Sequence, residues 1–300
     1  MHAPISLIIL TYNEEENIRY TLECVEGWID KVIIVDSFSS DSTINICEEF
    51  TDMIYQNPFE NQAKQFNWAL DNVPFLNEWI LRLDSDELVP QELAQEICET
   101  LPSLPEDVTG IYLRRQVHFM GRWMRRGGYY PMWFLRLFKN GRGRYEEITE
   151  EHIVLTEGRT VRMKNDFIDC NRKGLTFWVD KHNNWAIGEM LDTMAASGEA
   201  RMPEGTVESK LFGTQEQRKR WLKMKVYGRV PLFFRAFLYF IYRYFIRLGF
   251  LDGREGFIFH FLQGFWYRFL VDAKIYEARK FGTQVALANR EYTKTKPWED

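Results

Sequence analysis

Short apolar runs that are rich in β-branched residues recur in the first hundred residues of the chain. They are ISLIIL at 5–10, KVIIVD at 31–36 and WILRLD at 79–84. Such runs are typical of strands that are buried on both faces of a parallel sheet. Helix-like stretches separate them, at 17–28, 42–50 and 61–70. The alternation predicts an α/β fold with a doubly wound, mostly parallel sheet flanked by helices.

The rest of the pattern divides the chain in two. Residues 110–140 mix strand-like runs with Gly and Pro, and they predict a continuation of the sheet. Residues 175–198 predict a helix, and MPEGT at 202–206 is the best candidate for a linker. We therefore expect one domain over 1–205 and a helical, aromatic and basic module over 206–300.

Acidic and hydroxyl side chains follow each of the three predicted strands, in the stretches TYNEEE, DSFSSDS and DSDE. In a doubly wound sheet, ligands bind outside the carboxyl ends of the strands, so these side chains should meet at one rim. Asp84 and Asp86 can converge on a hard cation, because Mg²⁺ or Mn²⁺ is typically held by one or two carboxylates and the phosphates of a substrate. Such a cation neutralises the charge that develops on a departing nucleotide.

Glycine is scarce where nucleotide-binding loops would need it. The first 109 residues contain only Gly27, so no G-x-G-x-x-G turn is present, and no Gly-Lys pair exists for a Walker loop. Phosphate would therefore be held by metal and side chains, which favours Asp84 and Asp86 as metal-site residues. A D-x-D sequence alone is also typical of a solvated loop, and the matching acidic ends of neighbouring strands favour the functional interpretation.

Composition and charge narrow the class of protein. With 300 residues, 45% hydrophobic and 27% charged, the chain is an ordinary globular one. Its net charge of -5 argues against nucleic acid as the main partner. Residues 218–280 nevertheless carry a net charge of +10, so an acidic body precedes a basic, aromatic-rich section. The four cysteines form no C-x-x-C pair, and the first apolar run lacks the basic flank of a signal peptide, which predicts a reducing, cytoplasmic compartment.

Four motifs, taken in order, resemble one enzyme family. LTYNEEENI, VIIVDSFSSDST, QFNWAL and ILRLDSDE are similar to motifs of the inverting family 2 glycosyltransferases with a GT-A fold, especially the bacterial enzymes of lipopolysaccharide and exopolysaccharide biosynthesis. The resemblance implies that residues 1–205 form a nucleotide-sugar-binding catalytic domain that uses Mg²⁺ or Mn²⁺. It implies transfer of a hexose from a nucleotide diphosphate sugar, UDP-linked by expectation, to a growing glycan or a lipid-linked acceptor.

The resemblance also implies roles for individual residues. Contacts with the nucleotide sugar are expected from Thr11, Asn13, Glu14, Asp36, Ser37, Gln65, Asn67, Asp84 and Arg126. Asp84 and Asp86 match the D-x-D pair, with Asp86 as the expected direct metal ligand. Asp36 falls where the family reads the base. The chemistry of a carboxylate leaves open whether it accepts a hydrogen bond from a base imide or from a ribose hydroxyl.

The stretch EEITEEH at 146–152 is the expected source of the catalytic base. Glu150, Glu151 and His152 match an acidic-Glu-His triplet of the family, in which Glu151 would take the proton from the acceptor hydroxyl. General-base assistance of this kind contributes about 10² to 10⁴-fold to a rate. Glu150 stands where Asp is expected, which leaves the division of labour between the glutamates open. His152 is expected to bind metal or to orient the loop, and the alternative for the whole stretch is a solvated acidic surface.

Further cationic and aromatic residues match family patterns less specifically. Arg125, Arg126, Arg136, Lys181 and His182 are candidates for holding diphosphate or acceptor. Trp178, Trp185 and Tyr129 could stack on sugar faces, although packing in the core is the competing explanation for such aromatics.

Residues 230–250 contain nine aromatic residues, three arginines and no acid. Arg235, Arg243 and Arg247 fall within an arc of about 120° on a helix. Each arginine would cost about 2.5–3.5 kcal/mol at the centre of a bilayer, so the pattern predicts a helix that lies in the membrane interface with its arginines towards anionic lipid. The alternatives are a homo-oligomer contact and a core helix whose arginines pair with acids. The expected location is the inner face of the bacterial plasma membrane.

Two other functions use the same features. A nucleotidyltransferase or phosphatase could employ the carboxylate cluster, and it would release pyrophosphate or phosphate instead of UDP. A non-catalytic membrane-surface scaffold could retain a degenerate sugar-nucleotide fold, although the intact DSD and EEH sequences disfavour it.

Overall fold

The computed structural model describes residues 2–74, 76–146, 153–197 and 230–282. The chain forms two compact units. The first, called here the sheet unit, comprises Met1–Arg125 and Tyr129–Lys173. The second, called the helical unit, comprises Arg126–Gly128 and Gly174–Asp300.

The sheet unit alternates strands and helices through its first hundred residues, as the apolar pattern predicts. Its helices are α1 (Ile18–Val25), α2 (Thr43–Glu48), α3 (Gln62–Asn72) and α4 (Gln91–Thr100), with a 3₁₀ turn at Leu101–Ser103. Its strands are β1 (Ala3–Thr11), β2 (Ile29–Asp36), β3 (Ile54–Gln56), β4 (Trp79–Asp84), β5 (Glu87–Leu88), β6 (Val108–Phe119), β7 (Arg122–Trp123), β8 (Trp133–Lys139), β9 (Gly143–Tyr145), β10 (Ile153–Leu155) and β11 (Arg159–Asp169).

The main sheet has the strand order β3-β2-β1-β4-β8-β6-β11-β5. Strands β3, β2, β1 and β4 are mutually parallel. β8 runs antiparallel between β4 and β6, whereas β11 is parallel to β6. β7 pairs with β6, and β9 and β10 form a separate two-stranded sheet. This confirms the predicted α/β fold class, with a mostly parallel sheet flanked by helices.

Both faces of the central strand β1 are buried, which explains its unbroken apolar sequence. Ile5, Leu7 and Ile9 belong to the hydrophobic cluster that includes Leu22 of α1 and Leu93 of α4. Ile8 points to the other face and joins a cluster with Phe66 of α3. Because successive side chains of a strand alternate between faces, one run of apolar residues supplies two core layers.

The register of the parallel strands brings their carboxyl ends to one edge. Thr11 is paired with Asp36, and the preceding residue, Leu10, is paired with Asp84. Asp36 is in turn paired with Gln56 at the end of β3. The polar sequences that follow β1, β2 and β4 therefore start side by side.

The helical unit contains α5 (Gly174–Ala196), α6 (Phe234–Ile241), α7 (Gly253–Phe259) and α8 (Tyr267–Phe281). A π-helical turn, Tyr242–Ile246, extends α6, and a second one, His260–Trp266, joins α7 to α8. A 3₁₀ turn at Gly249–Asp252 precedes α7. In the described ranges, no helix is both long enough and apolar enough to cross a bilayer.

The division between the units lies at Lys173 and Gly174, earlier in the chain than the predicted boundary between 205 and 206. The predicted linker at 202–206 lies outside the described residues. The helix predicted at 175–198 is α5, and it belongs to the helical unit because its apolar side chains pack on α8. Ile187, Met190 and Met194 share a core cluster there with Val271 and Ile275.

A short stretch between β7 and β8, Arg126–Gly128, also belongs to the helical unit. The backbone N–H of Gly127 donates to the carbonyl of Arg247 at 3.0 Å, and its carbonyl accepts from Nε of Arg243 at 2.6 Å. Gly127 has φ +68°, and a Cβ atom at this position would overlap the ring of His260. Only glycine therefore fits both the backbone conformation and the space.

The structure corrects the expectation that the arginines of residues 230–250 face outwards. Arg235 and Arg243 are only 4% and 6% exposed. Two of the three arginines that were expected to share one outward face are therefore turned to the interior. Of the three arginines, Arg247 is exposed.

Candidate functional site

A hydrogen-bond network centred on Asp36 occupies the carboxyl ends of β1 and β2. Thr11 Oγ1 donates to Asp36 Oδ1 at 2.8 Å, and the backbone N–H of Ser39 donates to Oδ2 at 2.8 Å. The hydroxyl of Ser39 donates to Oδ1 at 2.5 Å. The Asp36 side chain is fully buried among these donors. Since a carboxylate offers about four acceptor positions, three internal bonds occupy most of them and fix its orientation.

The loop after β1 is held in place by its own polar residues. Asn13 has φ +52°, a conformation that asparagine tolerates better than most residues. Its N–H donates to Ser39 Oγ at 2.8 Å, and its Oδ1 accepts from the N–H of Ser40 at 2.8 Å. Glu14 accepts from Asn17 Nδ2 at 2.8 Å and forms an ion pair of 2.7 Å with Lys173. Asn13 and Glu14 thus shape the rim beside Asp36.

Gln65 and Asn67, both on α3, have different surroundings. Gln65 Nε2 donates to Ser37 Oγ at 3.1 Å and to the carbonyl of Asn57 at 2.9 Å, which brings it to the rim. Asn67 Nδ2 donates to the carbonyl of Tyr145, and Asn67 Oδ1 accepts from the N–H of Tyr145, both at 3.0 Å. Side chains two positions apart on a helix point in directions about 200° apart. The Gln65 side chain therefore reaches the rim, and the Asn67 side chain holds β9.

The turn after β4 carries the acidic side chains of the LRLDSDE sequence. Arg82 and Asp84 lie on the same face of β4 because they are two residues apart. Arg82 Nη1 donates to Asp84 Oδ2 at 2.9 Å, and Nη2 donates to Oδ1. Glu87 Oε2 accepts the backbone N–H of Asp84 at 2.9 Å, and Glu87 Oε1 contacts the guanidinium of Arg136. Two buried arginines therefore lie against two carboxylates.

The burial of this group shifts its protonation equilibria. Burial raises the pKa of the Glu87 carboxyl well above its ordinary value, and the neighbouring Asp84 carboxylate raises it further, whereas Arg82 lowers it. Burial lowers the pKa of Arg82, but Asp84 and Glu87 outweigh this effect and raise it well above the ordinary value. Arg82 thus remains a cation that offsets the charge of Asp84.

Asp86 has a different environment from Asp84. Its Oδ2 accepts from Asn171 Nδ2 at 2.8 Å, and its carbonyl accepts from the N–H of Cys170 at 2.9 Å. The preceding carbonyl, of Ser85, accepts from Thr21 Oγ1 at 2.7 Å. The turn is therefore fixed from α1 and from the chain after β11. Asp86 is partly exposed and is held by a neutral amide, so its carboxylate is suited to a cation.

The donor set suits a divalent cation that is also bound by substrate. Among the described residues, no group of three or more His, Cys, Asp or Glu side chains could hold a metal ion. Mg²⁺ needs only one or two carboxylates when phosphates and water fill the other positions. Asp86 fits such a site as it stands, whereas Asp84 would have to share its oxygens with Arg82.

The predicted catalytic base, Glu151, lies outside the described residues, as do its neighbours Glu150 and His152. The chain on either side is ordered into a ladder, in which Tyr145 of β9 pairs with Ile153 of β10. Tyr145 and Ile153 are therefore close together. Tyr145 is also the residue that Asn67 holds by two hydrogen bonds.

The less specific candidates fall into both units. Arg136 lies at the acidic turn of the sheet unit, where its Nη2 is 3.4 Å from Asp84 Oδ2. Tyr129 is half-buried and also belongs to the sheet unit, as does Arg125, whose guanidinium lies 4.6 Å from the Trp123 ring. Arg126 belongs to the helical unit, where its backbone N–H donates to Asp252 Oδ2 at 2.9 Å and its side chain is exposed.

His182 is part of the interior of the helical unit. Its ring stacks on Trp178 with centroids 3.5 Å apart, and Nδ1 lies 2.8 Å from the Trp178 carbonyl. Burial lowers the pKa of His182 to about 4. Lys181 lies over the ring of Trp185, which is exposed. Packing explains His182 and Trp178, while Trp185 keeps an accessible edge.

The sequence analysis missed several residues of the site. Two of them have a signal in the sequence: Ser39 belongs to the stretch DSFSSDS, and the period of two along β4 links Arg82 to Asp84. Asn171 reaches Asp86 across 85 positions of sequence, which no local pattern signals. Tyr12 and Phe38 are exposed aromatic residues that directly follow Thr11 and Ser37, and Phe38 has φ +62°.

Comparison with known proteins identifies the family. Residues 6–164, more than half of the chain, match the model of glycosyl transferase family 2. An uncharacterized glycosyltransferase of Rickettsia typhi is 28% identical over 276 residues, which cover 91% of this chain and 87% of the relative. A second one, of Rickettsia prowazekii, is 27% identical over 272 residues, which cover 90% and 86% of the two chains.

A solved structure aligns along most of the chain. Residues 1–349 of TarS from S. aureus, in complex with UDP-GlcNAc, align with 93% of this chain and 92% of that one, at 14% identity and a TM-score of 0.43. The family itself rests on the sequence match, which contains most of β1, all of β2 to β4 and the D-x-D turn. The predicted resemblance to family 2 is confirmed, and this chain belongs to glycosyl transferase family 2.

Proposed function

We propose that the protein transfers a hexose, with inversion, from a UDP-linked sugar to a growing glycan or a lipid-linked acceptor in surface polysaccharide biosynthesis. Glycosyl transfer follows from the family. The observation that carries the donor assignment is the meeting of Thr11, Asp36 and the Asp84–Asp86 turn at the ends of neighbouring parallel strands. This edge is where ligands bind in such sheets.

The network around Asp36 is the proposed recognition site for the nucleoside. Because the carboxylate is buried, an imide N–H of uracil or a ribose hydroxyl that donates to it would displace the Ser39 donors. Gln65 and Ser37 add amide and hydroxyl groups beside it. The exposed rings of Tyr12 and Phe38 offer apolar faces for a base. These groups together favour a nucleoside over a bare phosphate.

The acidic turn is the proposed diphosphate end of the donor site. A diphosphate approaching several carboxylates would be repelled, and the guanidinium groups of Arg82 and Arg136 reduce that repulsion. Asp86, with its accessible carboxylate, would hold Mg²⁺ or Mn²⁺ together with the phosphates. When bound, the cation supplies charge neutralisation for the departing nucleotide.

The transfer step needs a base on the acceptor side. The acceptor oxygen attacks the anomeric carbon on the face opposite the diphosphate, and its proton passes to a carboxylate. The bond from the anomeric carbon to the phosphate oxygen breaks, and its electron pair leaves with UDP. We assign the base to Glu151, with Glu150 and His152 in support, on the strength of the family pattern. The Asn67–Tyr145 bridge would steady the strand that precedes them.

Calorimetric titration tests the donor assignment. We expect UDP to bind more tightly than GDP or a dTDP nucleotide, in the presence of Mn²⁺ and not with chelator. Asp86→Ala should weaken metal-dependent binding by at least about tenfold, since a direct ligand of the cation is lost. Asp52→Ala, at an exposed carboxylate of the same unit, is the matched control and should bind as the wild type does. Failure of all three nucleotides to bind would overturn the proposal.

Identification of the products tests the proposed reaction. Slow hydrolysis of UDP-sugars should release UDP and a free sugar of inverted anomeric configuration, observed by NMR. Glu151→Gln should retain UDP binding and lose about 10² to 10⁴-fold in turnover, whereas Glu150→Gln should lose less. Release of pyrophosphate or inorganic phosphate would instead support the nucleotidyltransferase or phosphatase alternative. The proposed location is the cytoplasmic side of the plasma membrane, where a lipid-linked acceptor would be presented.

A further inference from the structure

Beside the apolar cluster that joins α5 to α8, the helical unit buries two arginines and exposes several aromatic side chains. Arg235 and Arg243 are buried, whereas Phe245 and Tyr276 are 51% and 52% exposed. Exposed aromatic residues normally occur singly on a soluble surface, and a contiguous patch marks a site of interaction.

Internal partners hold the two arginines inside. Nε of Arg235 donates to Asp272 Oδ1 at 2.7 Å, and Asp272 Oδ2 accepts the backbone N–H of Phe233 at 2.7 Å. Arg243 donates from Nε to the carbonyl of Gly127 at 2.6 Å and from Nη1 to the hydroxyl of Tyr239 at 2.9 Å. Turning either arginine outwards would leave buried polar groups without these bonds, so the burial of both arginines is built into the fold.

The exposed rings form one continuous strip, called here the aromatic face. Its exposed members are Phe245, Phe257, Phe261, Phe269 and Tyr276. Half-buried rings of Tyr244, Phe265 and Phe233 connect them, with centroids of successive rings 4.9 to 6.2 Å apart. From Phe257 to Tyr276 the strip follows one continuous helical segment, which corresponds to about 28 Å at 1.5 Å per residue.

Cationic side chains lie near both ends of the strip in the sequence. Arg247 and Arg254 are exposed near Phe245 and Phe257, and Lys280 lies 6.0 Å from the ring centre of Tyr276. The remaining acids of this part of the helical unit, Glu255 and Glu277, are less exposed. Exposed aromatic residues with exposed cations near them in the sequence match the boundary between anionic headgroups and acyl chains. Two copies placed face to face would oppose like charges.

We propose that the aromatic face docks the protein onto an anionic lipid bilayer, with the rings in the boundary between headgroups and acyl chains and the helices parallel to the surface. Burial of aromatic rings provides the attraction, and Arg247, Arg254 and Lys280 contact lipid phosphates. The mode differs from the one expected from sequence, since Arg235 and Arg243 stay inside. This inference goes beyond sugar transfer and does not depend on it.

Flotation of the full-length protein with lipid vesicles tests the docking. We expect binding to vesicles of phosphatidylcholine and tighter binding when phosphatidylglycerol is included. Binding should persist from about 0.1 M to about 0.5 M salt, because apolar burial is not screened. Phe245→Ser with Phe261→Ser should lower the partition coefficient at least about tenfold in both lipids.

Matched variants separate docking from folding. Phe59→Ser with Met120→Ser removes two exposed apolar side chains of the sheet unit and should leave flotation unchanged. Phe245→Leu with Phe261→Leu keeps apolar area and should retain most of the binding. Circular dichroism and thermal unfolding should show that all three variants fold as the wild type does.

Four outcomes would overturn the proposal. The first is absence of flotation with either lipid, and the second is equal flotation of the wild type and the double serine variant. The third is binding that requires phosphatidylglycerol and disappears in high salt, which would indicate attraction by basic residues alone. The fourth is a dimer in sedimentation that the serine variant dissociates while neither protein floats, which would assign the face to a second copy.

Discussion

The sheet unit and the helical unit both bury two arginines, and they use them for different purposes. In the sheet unit, Arg82 and Arg136 lie against Asp84 and Glu87 at the edge where strands end. In the helical unit, Arg235 pairs with Asp272, and both are remote in sequence from any motif of the site. Ion pairs with a buried arginine thus lie at the proposed ligand site in one unit and join two helices in the other. Only the other neighbours of a buried charge tell the two roles apart.

Phenylalanine, unlike arginine, differs in burial between the two units. Phe66, Phe138 and Phe167 are fully buried in the sheet unit, as the hydrophobic effect requires. In the helical unit, Phe245 and Phe261 face outwards, although an apolar cluster between α5 and α8 forms a core there as well. Both units have an apolar core, and the helical unit also carries large aromatic side chains on its surface. Each of the following experiments tests this contrast, from the largest expected effect to the smallest.

The buried pair of the helical unit should be the most sensitive point for stability. Asp272→Ala leaves Arg235 buried without its carboxylate and removes the acceptor of the Phe233 N–H. We expect the free energy of unfolding in urea to fall by about 3–5 kcal/mol. Asp71→Ala, which breaks the exposed pair with Arg144, should cost less than about 1 kcal/mol. Similar costs for the two variants would contradict a fastening role for Asp272.

The Asp36 network should be more important for binding than for stability. In Asp36→Asn, an amide N–H₂ would face one of the donors that now point at the carboxylate, Thr11 Oγ1 or the Ser39 N–H. We expect UDP affinity to fall about a hundredfold, which is about 2.7 kcal/mol, by calorimetry. Asp30→Asn, at the opposite end of the same strand, is the control and should bind UDP normally. Unchanged affinity in Asp36→Asn would remove Asp36 from the site.

Acidification should weaken the helical unit through His182. Its pKa is lowered by burial from 6.5 to about 4, so the unfolded chain binds the proton more readily. Hydrogen bonds with the Trp178 carbonyl and with Gln263 oppose this lowering of the pKa without reversing it, and the nearby charges of Lys181 and Arg268 add to it. The contribution of His182 to the free energy of unfolding is therefore fully present above pH 6.5. It decreases as the pH falls towards 4, by about 2 kcal/mol at pH 5. Urea unfolding at pH 7.5 and pH 5 should show this loss in the wild type, and His182→Gln should reduce it.

The two amides of α3 should separate binding from folding. Gln65→Ala removes the bond to Ser37 and should weaken UDP binding about threefold to tenfold, with little change in stability. Asn67→Ala removes both bonds to Tyr145 and should lower the free energy of unfolding by about 1–2 kcal/mol, with UDP affinity kept. Calorimetry and urea unfolding of both variants measure the two effects. The reverse pattern would show that Asn67, and not Gln65, contacts the nucleotide.

The sequence predicts the first strands of the sheet unit well because a short run of neighbouring residues signals each strand. β1, β2 and β4 are apolar runs of the right length, and the polar residues that end them are read directly from the sequence. The link between Arg82 and Asp84 follows from the period of a strand. The support of Asp86 by Asn171 could not be predicted, since it depends on where β11 joins the sheet.

The helical unit shows what helical periodicity cannot predict about burial. Spacing places Arg235, Arg243 and Arg247 in one arc, but the first two are buried and Arg247 is exposed. Periodicity defines two faces but does not say which is inside, because that depends on distant partners. Here the partners are Asp272, 37 positions away, and Gly127, 116 positions away.

The place of Gly127 in the helical unit has a consequence for the order of folding. Residues 126–128 are made early, between two strands of the sheet unit, but their partners Arg243 and Arg247 follow more than a hundred residues later. The helical unit therefore cannot be completed until most of the chain has left the ribosome. Contacts this distant in sequence close slowly. No single cut in the gene yields two intact units, so fragments of this enzyme are best prepared by co-expression.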